Sequence, residues 1–147
     1  MTPSPICCRP DDNVEQVARL MAEHDCGAIP VCVDGKVIGM ITDRDVTCRV
    51  VAAGKPPARL AASEIMSRTI YTVAADAEIE VAIDGMKTHQ VRRLPVVNAD
   101  DQVVGIISPS DLAPTFASAE VADFLLAVSY WTRRPSEARP AEAGRTS

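Results

Sequence analysis

Two stretches of the chain close an apolar run with a hydroxyl and, three residues on, a carboxylate. GMITDRD, at 39–45, carries Thr42 and Asp45, and GIISPSD, at 105–111, carries Ser108, Ser110 and Asp111 on the same plan 66 positions later. Side chains of this kind at the start of a helix do one of two things. They cap it, by accepting hydrogen bonds from its unpaired N–H groups, or they meet a ligand, because those N–H groups and the positive end of the helix dipole favour an anion. Capping accounts for one copy; a recurrence asks for more. Arg92 and Arg93 stand just ahead of LPV, where the equivalent place before IPV holds Gly27 and Ala28. A planar arginine fork donates two parallel hydrogen bonds and suits phosphate. The plainer alternative is a solvated basic pair beside Asp100 and Asp101.

The elements that would position these groups occur twice. Asp11 to Val31 aligns with Asp76 to Val96 at an offset of 65, and Met21, His24, Pro30 and Val31 recur as Met86, His89, Pro95 and Val96. Val14, Val17, Ala18 and Met21 fall on one face of a helix, and Ile79, Ala82, Ile83 and Met86 repeat that face. Asp11 or Asp12 is the expected cap of the first helix and Asp76 of the second. Each helix leads into two short β-rich runs, AIPVCV and KVIGMI in one copy, LPVV and QVVGII in the other. Asp34-Gly35 signals a two-residue hairpin between the first pair. Copy two has one more residue in its turn, which moves the offset from 65 to 66. A second helix follows, in RDVTCRVVAA and, after a Ser108 cap, from Pro109. With first strands at Ile6 to Cys8 and Ile70 to Val73, each unit reads β-α-β-β-α, an α+β fold. Neither covers enough apolar surface to stand alone, so the two are expected to pack around a pseudo-twofold axis.

Composition narrows the partners. The net charge is -5, and four of the arginines lie in the last 16 residues, so the body ahead of them is more acidic still. That sign opposes nonspecific binding to nucleic acid or anionic membrane, and five aromatic residues provide little stacking surface for single strands. No apolar run spans a bilayer and no signal region follows Met1, so a cytoplasmic location is expected. The five cysteines, Cys7, Cys8, Cys26, Cys32 and Cys48, are odd in number and lack C-x-x-C spacing. Buried reduced thiols are their simplest reading. His24 and His89 end equivalent helices and read as structural; no metal-ligand spacing and no nucleophile-base pair is visible.

MTPSPICCRPDDNVEQVARLM, GAIPVCVDGKVIGMITDRD, IMSRTIYTVAADAEIEVAIDGM and VRRLPVVNADDQVVGIISPSD, in that order and with MTP at the start aligning with MSR at Met66 to Arg68, resemble a tandem pair of cystathionine-β-synthase (CBS) domains, a Bateman module. The resemblance covers about residues 1–117. It divides the chain into CBS domain 1 at 1–56, a linker at 57–64 and CBS domain 2 at 65–117. A helix at 118–133, with Ser118 as its cap and Val121, Phe124, Leu125, Val128 and Trp131 on its apolar face, is expected to cover its own domain, and 134–147 to be a disordered tail. The resemblance implies a sensor without catalysis of its own that binds an adenine nucleotide or adenosyl ligand between the domains. AMP, ADP, ATP, S-adenosylmethionine and NAD are the candidates, with no fixed cofactor.

Carried over residue by residue, the resemblance gives Asp45 and Asp111 to the ribose hydroxyls, Thr42 and Ser108 to ribose or phosphate, Ser110 to the same surroundings, and Arg92 and Arg93 to phosphate. Asp43 adds a second acid to the first motif and would repel phosphate, so the expected better site joins Arg92 and Arg93 to Ser108 and Asp111. The helix at 118–133 leaves no length for a fused enzyme domain. The module is therefore expected to work alone or in trans, and the resemblance implies a homodimer that signals to a protein partner. In this fold the first strand lies against PVCV, so Cys7 or Cys8 approaches Cys32, and a Cys7–Cys32 disulfide is the sharper reading of the thiols. It opens the alternative of a thiol-based redox or stress-response protein whose nucleotide cleft is vestigial.

Overall fold

Each half builds its own core around one amphipathic helix. The computed structural model describes residues 1–112, 114 and 118–129. In the first half, α1 (Val14–Glu23) buries Val14, Val17 and Met21 against a hairpin of β2 (Ala28–Val33) and β3 (Lys36–Thr42). In the second, α4 (Ile79–His89) buries Ala82 and Met86 against β5 (Leu94–Val97) and β6 (Val103–Ile107). Each fully buried aliphatic side chain is worth roughly 1.5–3 kcal/mol over the exposed state. The periodicity read from the sequence therefore points at the cores.

The helix caps differ from expectation. Asn13 caps α1: its side chain accepts from the Gln16 amide at 2.9 Å while the Gln16 side chain accepts from the Asn13 amide at 3.0 Å. Asp11 and Asp12 instead face back to Arg9. Helix α4 begins after Glu78, two residues past Asp76, and no side chain caps it. Asp34 and Gly35 have φ of +51° and +79°, the left-handed pair that a tight hairpin turn requires. In copy two the longer turn is held by Asn98, whose side chain accepts from the amides of Asp100 at 3.0 Å and Gln102 at 2.9 Å.

The halves are joined by exchanged strands. β1 (Thr2–Pro3) leaves the first half to pair antiparallel with β6, Thr2 opposite Ile106. Ser67, its counterpart at the head of copy two, pairs with Met40 on β3 through reciprocal backbone bonds of 2.9 and 3.0 Å. These equivalent crossings give the molecule its pseudo-twofold axis. The larger sheet runs β1-β6-β5-β4, with β4 (Val73–Ala74) parallel to β5. The expected first strand at 6–8 is reduced to one parallel bridge, Cys8 to Val31.

The crossings also explain two glycines. A Cβ at Gly39 would lie 2.4 Å from Met66 Sδ, and one at Gly105 would lie 2.6 Å from Met1 Sδ. The methionine heading each copy thus rests on the glycine opening the other copy's hydroxyl-acid motif. Before it, α3 (Ala62–Ile65) packs Ala62 and Ile65 into the first core, although the sequence places this stretch in a linker and at the start of the second domain. Helix α6 (Ser118–Ser129) has no counterpart in copy one and buries Phe124 and Val128 in the second core. It covers its own domain, as expected; Trp131 and the tail at 134–147 lie outside the described residues.

Candidate functional site

The first motif turns from strand to helix at Thr42. Thr42 Oγ1 accepts from the Asp45 amide at 3.1 Å, and Asp45 Oδ2 accepts from the Thr42 amide at 2.9 Å and its hydroxyl at 2.7 Å. This reciprocal box starts α2 (Asp43–Val46), which continues as a π-helical turn over Thr47–Val51. Asp45 Oδ1 lies 3.3 Å from Arg49 Nε one turn on, and Arg49 reaches across to the Ile65 carbonyl and to Ser67 Oγ at 3.4 Å. The acid is therefore part of the cap, and it also ties its helix to the strand crossing from copy two.

The second motif repeats the box. Asp111 Oδ2 accepts from the Ser108 amide at 2.8 Å and hydroxyl at 2.9 Å, at the start of α5 (Pro109–Leu112). Ser110 Oγ lies 2.8 Å from Ser108 Oγ. Asp111 Oδ1 is 3.0 Å from the Met1 amine, the position corresponding to the chain that carries Met66 over the first motif. Burial pushes the Asp111 carboxyl up, but its hydrogen bonds to the Met1 amine and Ser108 more than offset this and hold it below the ordinary carboxylate value.

Because the strands cross, each cleft draws one wall from each half. The largest has a volume of about 790 Å³. Thr42, Asp43, Arg44, Asp45 and Arg49 line it from the first half, and Arg68, Tyr71, Arg92 and Arg93 from the second, with Val128 and Ser129 of α6 at its edge. Its pseudo-twofold mate, about 450 Å³, is lined by Thr2, Ser4, Ile6, His24, Arg93 and Ser108 among others. A third hollow of about 340 Å³ brings Arg92 and Arg93 to Ser108 and Ser110 under α6.

The expected grouping is thus met in part. Arg92 and Arg93 do reach Ser108, with Ser110 beside it, but Asp111 lines none of these three clefts, and the arginines also face Thr42 and Asp45 in a cavity more than twice as large. The reason is topological: the segment before LPV ends at the domain boundary, within reach of the other half's helix start. Gly27, the counterpart of Arg92, leaves space that a side chain would fill, since a Cβ there would meet Asp43 Oδ2 at 3.0 Å and Arg93 Nη2 at 3.2 Å. Asp43 consequently converges with Arg93 on Gly27. Counting only formal charges, five arginines outnumber two aspartates around the large cleft, whose field favours an anion.

Sequence reasoning missed Arg44, Arg49, Arg68 and Tyr71 as cleft residues. The spacing of Asp45 and Arg49, four apart on a helix, is a legible ion-pair signal. Nothing local marks Tyr71, whose ring stacks on His89 with centroids 3.5 Å apart. Among the described residues no group of three or more His, Cys, Asp or Glu is placed to hold a metal ion. Among the same residues no helix is long and apolar enough to cross a membrane.

Two β-α-β-β-α units that exchange strands across a pseudo-twofold axis, with clefts between them, define a tandem two-unit module. The profile of the CBS domain family matches residues 1–51 and 62–117, and the chain belongs to that family. Among its relatives, hypoxic response protein 1 of Mycobacterium tuberculosis is 36% identical over 123 residues, covering 83% of this chain and 85% of that one. Its crystal structure, described with two coordinated zinc ions, has a TM-score of 0.72 and covers 80% of this chain and 95% of its own. The CBS domain-containing protein YhcV of Bacillus subtilis is 37% identical over 122 residues, covering 83% and 86% of the two chains. The CBS domain pair of protein MJ0100, solved with 5'-methylthioadenosine and S-adenosyl-L-methionine, is 25% identical with a TM-score of 0.69, covering 79% and 90%.

Proposed function

We propose that this chain is a non-enzymatic regulatory sensor that binds an adenine nucleotide in the large cleft between its CBS domains and signals to a protein partner in trans as a homodimer. The observation that carries the reading is the lining of that cleft. A volume of about 790 Å³ suits a small-molecule ligand. Met40, Met66, Ile70, Tyr71 and Pro95 supply an apolar wall for a base, and Arg92 and Arg93 supply forks for phosphate. Asp45 accepts from the ribose hydroxyls on lone pairs left beside its Thr42 and Arg49 contacts. The adenosyl ligands of MJ0100 support the ligand class. The excess of arginine favours phosphate-bearing AMP, ADP, ATP or NAD over cationic S-adenosylmethionine. Signalling follows to the extent that the ligand binds two states of the module unequally.

Calorimetry and thermal shift with AMP, ADP, ATP, NAD and S-adenosylmethionine test the proposal. A ligand at 100 times its Kd adds about 2.7 kcal/mol of stability. The expected result is a response to the phosphate-bearing ligands that Arg92→Ala with Arg93→Ala removes. No response to any of them in ligand-free protein overturns it.

A further inference from the structure

The cysteines of the first half are not equivalent, and their placement follows from the single parallel bridge at the edge of its sheet. The Cys8 amide donates to the Pro30 carbonyl at 3.0 Å and the Cys32 amide to the Cys8 carbonyl at 2.8 Å, putting Cys8 opposite Val31. Side chains alternate along a strand, so Cys8 and Val31 share one face and Cys7 and Cys32 share the other. Cys8 and Val31 point into the core. On the opposite face Cys7 and Cys32 flank that bridge as neighbours, each thiol shifting the other's ionisation, while Cys7 Sγ donates to the Pro5 carbonyl at 3.5 Å. Cys7 is half-buried and Cys32 buried, so a reagent in solution reaches Cys7 first.

We infer that Cys7 and Cys32 form a reversible disulfide, closed by low-molecular-weight disulfides, that ties the strand-crossing N-terminal segment to β2. The inference stands on the thiol geometry and is independent of the nucleotide reading. Cys7 is the attacking group: the neighbouring Cys32 thiol lowers it below an ordinary thiol, although burial opposes this. The thiolate attacks one sulfur of the small disulfide and expels the other as a thiolate, leaving a mixed disulfide on Cys7. Cys32 is held high by the Cys7 thiol and by burial, but its principal cause disappears once Cys7 is capped. Cys32 then gives up its proton and attacks Cys7 Sγ, and the second small thiolate leaves. The protein loses two electrons and two protons, and the small disulfide becomes two thiols. Cys8, pushed up to about 12 by burial and by the charge of Asp12, stays out of the exchange.

The bond has a consequence for the clefts. Pro5 and Ile6 line the smaller one, and Ser4 donates to Val104 across the domain boundary at 3.1 Å. A tether at Cys7 holds that wall to the first sheet.

The test uses the full chain carrying Cys48→Ser, which removes the exposed thiol that would take glutathione adventitiously. Equilibration with glutathione disulfide, acid quench and mass mapping should show a species lighter by two hydrogens, with Cys7 linked to Cys32 and regenerated by dithiothreitol. Adding Cys7→Ser should abolish the bond, and adding Cys26→Ser should leave it. In the oxidised protein, amide exchange at Ser4 should slow at least threefold. Persistence of all thiols, a stable glutathione adduct on Cys7, or a bond through Cys8 or Cys26 overturns the inference.

Discussion

Met66 and Met1 occupy equivalent places, each crossing the boundary to rest on the other half's glycine, yet Met66 is 6% exposed and Met1 54%. The difference runs through the module. The first half closes its core with α3 and keeps its crossing methionine inside; the second closes its core with α6 and carries its crossing methionine at the surface. The clefts inherit the imbalance. The one roofed by the buried crossing is the larger, and Arg92 and Arg93 of copy two line it, whereas copy one brings Gly27 and Ala28 to the equivalent places in the smaller one. A tandem repeat of two units built on one plan thus yields two unequal sites through differences at the boundary.

The comparison is broken most severely at the helix only one half possesses. Phe124 is 1% exposed in the second core, so Phe124→Ala should cost about 3–5 kcal/mol in urea unfolding. A change below about 1 kcal/mol would mean that α6 is no part of the core.

The crossings come next. Gly39→Ala drives a Cβ into buried Met66, contacting its Sδ, Cγ and Cβ, and should destabilise by about 1–3 kcal/mol. At Gly105→Ala the clash falls on half-exposed Met1, whose side chain has room to turn away, and the cost should be less than half as large. Equal costs would remove the asymmetry. Pairing Gly39→Ala with Met66→Ala should cost less than the sum of the two single changes, because they share the contact.

The smallest test compares the helix starts. Asn13→Ala breaks the capping box of α1 and should cost about 1 kcal/mol. Asp76→Ala, at an exposed position outside α4, should fall within about 0.5 kcal/mol of wild type.

These cap positions also show how far local reading reaches. The hydroxyl-acid motifs, the helix faces at Val14, Val17 and Met21, and the Asp34-Gly35 turn were legible because each depends on residues a few positions apart. Asn13 was missed because adjacent Asp11 and Asp12 offer equally good caps, and the choice among the three falls to the tertiary docking of the chain. Val14 donates to the Leu60 carbonyl and Ala62 to the Asp12 carbonyl, fixing where the helix begins. The reciprocal bonds of Asp45 and Asp111 were legible in type but not in consequence. The acids close their own caps, so exposure to a ligand is a further property of the cleft.

By itself the sequence determined that one β-α-β-β-α unit occurs twice, where its helices and hairpin lie, and that hydroxyl-acid pairs open two equivalent helices. These follow from periodicity and short-range hydrogen bonding, which a linear string records. The tertiary structure decided which walls meet. Exchange of the strands at Thr2 and Ser67 put Arg92 and Arg93 opposite Thr42, set Met66 on Gly39, and left the larger cleft with the first motif. Such pairings depend on backbone bonds between residues some 27 to 104 positions apart, and their register is fixed only when two cores close against each other.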